Sequence, residues 1–191
     1  MKNLTCAAFI FDGFEDYDIA LIMAGLNRAD NVILETFSTK GWPVTSRNGL
    51  RVTPHADLRN MNPEDFDILL LPGGQQWEWG DNLEIFPLIR ATIGRRPLIA
   101  IGPATLALAD LGLLNDIPHT GNFRGYFEQY CPEYKGASLF RSQPCVFTGG
   151  ILTVNGTALS EPAPDMLGLF DTLQEIHTTH HEFFDLAHER I

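Results

Sequence analysis

The sequence predicts an α/β fold, an open parallel sheet with helices on both faces. Short runs of apolar and β-branched residues alternate along the chain with longer segments of helical period, which is the element order of that class. Two of the runs, residues 68–71 and 97–101, are apolar throughout, as strands are when helices cover both faces of a sheet. Because no repeat, linker or break in composition divides it, the main body of the chain is expected to be one domain.

Six segments have the composition of strands. They are residues 4–11, 32–38, 68–71, 97–101, 145–148 and 151–154. Between residues 42 and 54, Asn48-Gly49 predicts a hairpin in which a two-residue turn joins two short extended pieces. Gly149-Gly150 predicts the turn between the last two strands.

Five further segments have the period of a helix. They are residues 16–29, 82–95, 104–111, 123–130 and 164–177. The first has four apolar residues on one face, Pro87 interrupts the second, and Gly112 is placed to end the third. Strand and helix thus alternate along most of the chain, as the parallel arrangement requires.

Composition excludes several classes of partner. The 191 residues carry 24 acidic side chains against 13 lysines and arginines, for a formal net charge of -11. Such a chain repels phosphate backbones and anionic lipids, so neither nucleic acid nor membrane is an expected partner. The apolar run at residues 4–11 is too short for a signal peptide or a membrane span. Only three cysteines occur, without a CxxC pair, which favours a reducing compartment and predicts a cytoplasmic protein.

Chemistry in parallel sheets is placed at the carboxyl ends of the strands, and three predicted strand ends carry unusual motifs. The motifs lie in residues 11–16 (Phe-Asp-Gly-Phe-Glu-Asp), 67–74 (ending Leu-Pro-Gly-Gly) and 97–109 (with Ile-Gly-Pro-Ala-Thr at its centre). They resemble the motifs of the ThiJ/PfpI superfamily, and the resemblance continues through residues 112–114, 119–122 and 153–158.

The resemblance implies a class I glutamine amidotransferase-like domain over residues 1–177, a three-layer sandwich with a flavodoxin-like, mostly parallel sheet. Members of the superfamily include intracellular proteases or amidases, protein deglycases, chaperones and isonitrile hydratases. It also implies a homodimer acting on a small molecule, with no cofactor and no metal. Residues 178–191 are expected to form a separate tail, a cap helix or an arm that contacts the second subunit.

One departure from the superfamily pattern decides the functional prediction. The resemblance places Gly102 at the strand-to-helix elbow where members carry a nucleophilic cysteine, and none of residues 100–107 is Cys, Ser or Lys. Glycine tolerates the positive φ of such a turn, and Pro103 suits the first helical position. The elbow is therefore expected to persist without its nucleophile.

Glu15 and Gly73-Gly74 are the other candidate site residues at the strand ends. The resemblance places Glu15 as the acid of the pocket, although an acid at the start of a helix is also favoured by the helix dipole alone. Gly73 and Gly74 fit a loop whose backbone approaches a ligand closely, or a plain loop. Pro103, Ala104 and Thr105 complete the predicted ligand contacts.

The remaining candidates each have two interpretations. His119 resembles a pocket histidine of several members, but a histidine beside Pro118 and Thr120 more often has a structural hydrogen-bonding role. Trp77 and Trp79 are candidates for ligand contact, dimer contact or core. Histidines and acids between His177 and His188 invite a metal hypothesis, but the segment lacks the second histidine of HExxH, so a cap helix or dimer arm is favoured. Cys131 and Cys145 are remote alternatives as nucleophile, and Cys6 is predicted to be inert core.

Two functional hypotheses follow. The first is a family member without a nucleophile that binds a small anionic or carbonyl-bearing molecule among Glu15, Gly73, Gly74, His119 and the turn at residues 102–105. The second is a cysteine-independent hydrolase or lyase that uses Glu15 and His119 to activate water or abstract a proton. A structural or chaperone role would require a large exposed apolar surface.

Overall fold

The computed structural model describes residues 4–26 and 32–157 of the chain. Nine strands lie in these ranges: β1 (Leu4–Phe9), β2 (Val32–Ser38), β3 (Val44–Thr45), β4 (Arg51–Val52), β5 (Ala56–Asp57), β6 (Ile68–Leu71), β7 (Leu98–Ile101), β8 (Cys145–Thr148) and β9 (Ile151–Val154). Four α-helices accompany them: α1 (Asp16–Leu26), α2 (Phe86–Thr92), α3 (Thr105–Asp110) and α4 (Tyr126–Tyr130). The predicted helix at 164–177 and the tail from 178 lie outside the described residues, as does the boundary between the two predicted segments.

Seven strands form one sheet in the order β5-β2-β1-β6-β7-β9-β8. All neighbours in it are parallel except β8 and β9, which pair antiparallel around the predicted turn at Gly149-Gly150. The chain moves from β1 to β2 in one direction and from β6 to β7 in the other. Because such crossovers are right-handed, α1 and α2 lie on opposite faces of the sheet, so the predicted three-layer, mostly parallel architecture is confirmed.

The reversal of strand order falls between β1 and β6. At such a point the loops that follow the two strands diverge to opposite faces and leave a crevice beyond their carboxyl ends. Both strands are rigidly held there, because every residue of β6 and β7 is buried and β1 is buried except at Thr5. The fold thus fixes the backbone from which the loops at Asp12 and Pro72 depart.

Several element boundaries differ from the sequence prediction: β1 ends at Phe9 and not at residue 11, β7 and α3 are shorter by one or two residues, and three larger differences have identifiable reasons. The predicted two-residue hairpin turn is wrong: the Ser46 N–H donates to the Leu50 carbonyl at 2.8 Å across a three-residue loop in which Gly49 has a φ of +89°. In residues 82–95, α2 begins only at Phe86, because Pro87 suits a first helical turn and not an interior. Likewise α4 begins at Tyr126, after Gly125 with a φ of +91°.

Among the helices of the described ranges, none combines the length and the apolar character needed to cross a bilayer. The longest, α1, has 11 residues and turns Ile19, Ile22 and Leu26 into the core. Its first turn lies at the carboxyl end of β1, where it faces the loop after β6. This placement brings acidic side chains of α1 to the site described next.

Candidate functional site

Gly73, directly after β6, is the point at which three strand ends meet. A Cβ atom built on Gly73 would lie 3.0 Å from Asp18 Oδ2, 3.3 Å from Pro103 Cδ and 3.4 Å from Glu15 Cγ. The loops after β1, β6 and β7 therefore touch here, and no side chain would fit between them at Gly73 without displacing a neighbour. Glu15, Gly73 and Pro103, three of the predicted site residues, are brought together.

The turn after β7 has the geometry of a nucleophile elbow. Ile101 ends the strand, Gly102 has a φ of +52°, and a 3₁₀ turn over Gly102–Ala104 leads into α3. The Thr105 hydroxyl donates to the Gly102 carbonyl at 2.6 Å, so that side chain serves the turn itself. A left-handed residue at this place is strained unless it is glycine.

Two residues that the site prediction omitted surround Gly102. A Cβ atom there would lie 3.2 Å from Gly156 Cα and 3.3 Å from Asn122 Oδ1. Asn122 Oδ1 in turn accepts a hydrogen bond from the Gly156 N–H at 3.2 Å. Both belong to motifs that carry the family resemblance, so the resemblance itself was the available signal for their proximity to the elbow.

Pro103 leaves the turn without a backbone N–H at the residue that follows Gly102. In nucleophile elbows the N–H of the residue after the nucleophile contributes to the oxyanion hole. A proline has no N–H, and its ring at Pro103 lies against Gly73 instead. The turn at Gly102–Ala104 thus offers neither a nucleophilic side chain at residue 102 nor a backbone N–H at residue 103.

Glu15 is buried and held from two sides. Its backbone N–H donates to the Gly73 carbonyl at 3.0 Å, and its carboxylate accepts from Arg47 Nη1 at 2.7 Å. The Arg47 side chain is mostly exposed, so solvent screens this ion pair and it contributes little to stability. Its effect is to fix the direction of Glu15, whose carboxylate already has a charged partner.

Asp18 is the acid that the sequence analysis missed. Its side chain is 2% exposed, and Oδ2 accepts a hydrogen bond from the Gly73 N–H at 2.8 Å, whereas Oδ1 is buried without a partner. Burial raises the pKa of Asp18 to about 7, with the nearby charges of Glu15 and Asp16 adding to the rise and the Gly73 hydrogen bond opposing it. Asp18 lies in the first turn of α1, three residues after Glu15, a position at which an acid is common for helix-dipole reasons alone.

The proton of Asp18 has a defined position. Since Oδ2 accepts from Gly73, the acidic hydrogen of the neutral form belongs on Oδ1, the oxygen without a partner. Because burial raises the pKa of Asp18 to about 7, the neutral form is accessible near neutral pH. The site therefore holds a buried group that can donate a hydrogen bond or a proton beside Gly73 and Pro103.

His119 lies in an aromatic cluster formed by Phe127, Tyr134 and Phe140. Its Nδ1 must donate to the Ile117 carbonyl at 2.7 Å, and its Nε2 lies 2.6 Å from the Tyr134 hydroxyl, which donates to it when the ring is neutral. Burial lowers the pKa of His119 and keeps the ring neutral. With both nitrogens engaged in the protein, the contacts favour the structural interpretation that the sequence left open.

The other sequence candidates separate into core and surface. Trp77 is buried, packs against Phe9 and Phe11, and donates from Nε1 to the Pro72 carbonyl at 3.0 Å. Gly74 faces the ring of Phe11. Trp79 is exposed over 63% of its surface. Trp77 and Gly74 thus support the loop that carries Gly73, while Trp79 is free to contact other molecules.

The thiols and the histidine-rich segment add no second centre to the described ranges. Burial raises the pKa of Cys6 to about 12, and burial likewise raises the pKa of Cys131, so neither is a ready thiolate. Cys145 is half-buried on β8, with Val154 of β9 opposite. Within residues 4–26 and 32–157 no three His, Cys, Asp or Glu side chains are grouped to hold a metal ion. The segment between His177 and His188 lies outside these ranges.

The fold and the site together describe an α/β protein in which buried acids lie beside a glycine turn at the carboxyl ends of a parallel sheet. The sequence pattern of the DJ-1/PfpI family matches residues 5–164, so the chain belongs to that family and the resemblance predicted from the motifs is confirmed.

Two relatives and one solved structure are similar to this chain over most of its length. "Uncharacterized protease YdeA" of Bacillus subtilis is 30% identical over 170 residues, covering 87% of this chain and 84% of that protein. "Uncharacterized protease YoaZ" of the same organism is 28% identical over 188 residues, covering 90% and 85%. Among solved structures, the DJ-1 superfamily protein Atu0886 from Agrobacterium tumefaciens is 32% identical with a TM-score of 0.74, covering 94% of this chain and 99% of that one.

Proposed function

We propose that this chain is a DJ-1/PfpI-family protein without the elbow nucleophile, which binds a small carbonyl-bearing or anionic molecule beside Gly73 and Gly102. The observation that carries the proposal is the Asp18 carboxyl, which is buried next to Gly73 with one oxygen unpartnered. A buried polar atom left without a partner costs about 1–3 kcal/mol, and a ligand that pairs with it recovers that free energy.

The state of Asp18 sets the class of ligand. In its neutral form the Oδ1 hydroxyl donates to a carbonyl or carboxylate oxygen, whereas the ionised form repels the same oxygen. Since the pKa of Asp18 is raised to about 7, ligand affinity should fall as the pH rises through 7. Glu15 lies beside the site, where its ion pair with Arg47 holds the carboxylate in one direction.

Two features argue against covalent catalysis at the elbow. Gly102 supplies no nucleophile, and Pro103 supplies no N–H for an oxyanion. A cytoplasmic location, expected from the cysteine content, and a homodimer, expected from the family resemblance, belong to the same proposal.

Hydrolysis is the competing function, because two relatives are named as proteases. The version that uses Glu15 and His119 is disfavoured by the contacts of both groups, since Glu15 is paired with Arg47 and both nitrogens of His119 are engaged. Asp18 is better placed to move a proton. Turnover of amide, isonitrile or α-oxoaldehyde substrates that is lost in both Glu15→Gln and Asp18→Asn would replace the binding proposal with this one.

The test of binding compares matched ligands and matched variants. Native mass spectrometry of the protein as purified, followed by calorimetric titration with pyruvate and with lactate, reports on a retained molecule and on carbonyl preference. Asp18→Asn keeps an acceptor for the Gly73 N–H but removes the titration, so pyruvate affinity should no longer fall above pH 7. Asp16→Asn in the same turn, whose oxygen accepts from Asn48 Nδ2, is the control and should keep the pH dependence. The proposal is wrong if no molecule copurifies with the protein and neither pyruvate nor lactate binds to it.

A second experiment tests the missing chemistry. Gly102→Cys should make the elbow accessible to iodoacetamide without creating a hydrolase, because Pro103 still lacks the donor. Adding Pro103→Ala restores an N–H at that position. Amidase activity in wild type that iodoacetamide abolishes at a native thiol would refute the assignment of Gly102 as an empty nucleophile position.

A further inference from the structure

A cavity lies at the same edge of the sheet as the elbow, on the side of β1 and β2. It measures about 510 Å³, within the usual range for small-molecule sites, and it is formed by the segments that follow β1 and β2 and by the loop after β6. We call it the tryptophan groove because Trp42 and Trp79 line it with exposed rings. Gly73, Gly102 and Asp18 do not line it, so it is separate from the elbow site.

Unpartnered polar atoms mark the groove as a place for a ligand. In the described part of the chain three buried side-chain nitrogen or oxygen atoms lack a partner. One is Asp18 Oδ1 at the elbow, and the other two, Gln76 Oε1 and Asn82 Nδ2, belong to residues that line the tryptophan groove. Asn82 also has a φ of +63°, the only positive value at a non-glycine residue in the described ranges. Strained backbone and unsatisfied amides concentrate at functional sites.

The charge of the groove selects the sign of the ligand. Three exposed carboxylates, those of Asp12, Asp81 and Glu84, line it against a single cationic side chain, Lys40. That ammonium lies 5.1 Å from the centre of the Trp42 ring, within the range of a cation–π contact. The groove therefore already holds one cation on one of its two tryptophans, and that cation belongs to the protein itself.

We propose that the tryptophan groove binds a small organic cation of the guanidinium type, for which Lys40 is an internal competitor. A planar guanidinium stacks on an indole ring more readily than an ammonium does and presents several N–H donors. Gln76 Oε1 accepts one of these donors, and the carboxylates of Asp81 and Glu84 balance the charge. The proposal is independent of the function of the elbow site.

Matched probes separate charge from shape. Nα-acetylarginine amide and Nα-acetylcitrulline amide are nearly isosteric, but only the first is a cation. We expect the arginine probe to change the emission of the exposed tryptophans and to bind more tightly than the citrulline probe by fivefold or more in calorimetry, with weaker binding at higher salt. Equal affinity for the two probes, or no binding of either, would overturn the proposal.

Variants locate the binding in the groove. Trp79→Leu and Asp81→Asn should each weaken the arginine probe by about two- to fivefold, the factor that an exposed cation–π contact or ion pair provides. Lys40→Met removes the competitor and should tighten binding several-fold, although it makes the protein more acidic by one charge. Glu64→Gln removes the same kind of carboxylate from an exposed ion pair with Arg95, outside the groove, and calibrates the effect of net charge alone. If Lys40→Met binds no tighter than wild type, or if Asp81→Asn behaves like Glu64→Gln, the groove is not the site.

Discussion

Asp18→Asn is expected to make the protein more stable at neutral and alkaline pH than wild type. The ordinary pKa of an aspartate is 3.8, and burial raises that of Asp18 to about 7 in the folded state. The folded state therefore holds this proton more tightly than the unfolded chain does. Its contribution to stability is complete below pH 3.8 and is lost as the pH rises from about 4 through 7.

The size of the effect follows from the shift in pKa. A shift of about three units corresponds to about 4 kcal/mol at 1.36 kcal/mol per unit, which is an upper limit for a buried carboxyl that relaxes on ionisation. Asparagine keeps an oxygen to accept from the Gly73 N–H and does not ionise. The stability of Asp18→Asn relative to wild type should rise by as much as about 4 kcal/mol between pH 4 and pH 7, and then stay level.

Urea unfolding of both proteins at half-unit steps from pH 4 to pH 9 measures this difference. In thermal unfolding at pH 9, the melting temperatures of the two proteins should differ by on the order of 10 °C for a chain of this size. Asp16→Asn provides the control: it keeps the titrating carboxyl of Asp18, so the pH dependence should remain, with a midpoint slightly below that of wild type because the Asp16 charge adds to the raised pKa of Asp18. A difference between Asp18→Asn and wild type that does not change with pH would refute the raised pKa of Asp18 and, with it, the predicted pH dependence of ligand binding.

Three further predictions test the rest of the site. Gly102→Ala should destabilise the fold by about 1–2 kcal/mol for its left-handed backbone, and by more because the added methyl group contacts Gly156. Gly149→Ala is the control, since Gly149 has a similar φ of +60° but open space around it, and thermal unfolding should show a smaller loss of stability there. Equal losses for the two variants would contradict the crowding at the elbow. The pKa of His119, measured by NMR, should lie below 6.5 because burial favours the neutral ring. Its contribution to the free energy of unfolding should therefore be present above pH 6.5 and be lost as the pH falls below about 6.5. A pKa at or above 6.5 would contradict the burial of His119. Glu15→Gln should cost less than about 1 kcal/mol and lower the pKa of Asp18, as carboxyl NMR can measure; an unchanged pKa would mean that the two acids do not interact.

Most of the sheet could be predicted from the sequence because its strands are short apolar or β-branched runs, whereas β5, with two half-buried residues, carries no such run and was missed. The segments Ile68–Leu71, Cys145–Thr148 and Ile151–Val154 have the predicted bounds, since short apolar runs between glycines and prolines leave little choice of register. The hairpin turn was wrong by one residue because Ser46 closes the loop through its hydrogen bonds with Leu50, a tertiary choice that Asn48-Gly49 alone does not encode.

The site was predicted only in part, and the reason is the difference between backbone and side chain. Gly73 and Pro103 were found because glycine and proline constrain the backbone wherever they occur. Asp18 was missed because an acid in the first turn of a helix has an ordinary explanation in the helix dipole. Its raised pKa depends on burial beside Gly73, 55 residues away along the chain, which no local pattern reports.

The unpaired atoms connect the two proposed sites through the topology of the sheet. The strand order reverses at β1 and β6, and the loops after these strands carry Glu15 and Gly73 toward the elbow but Asp12 and Gln76 toward the tryptophan groove. The turn after β7 depends on the backbone of Gly102 and on the Thr105 hydrogen bond, so this arrangement of loops does not require a reactive side chain at residue 102. Within residues 4–26 and 32–157 the buried side-chain polar atoms without partners, Asp18 Oδ1, Gln76 Oε1 and Asn82 Nδ2, all belong to residues at this edge of the sheet. Such atoms are costly to bury, so a ligand that pairs with them at either proposed site would recover part of that cost.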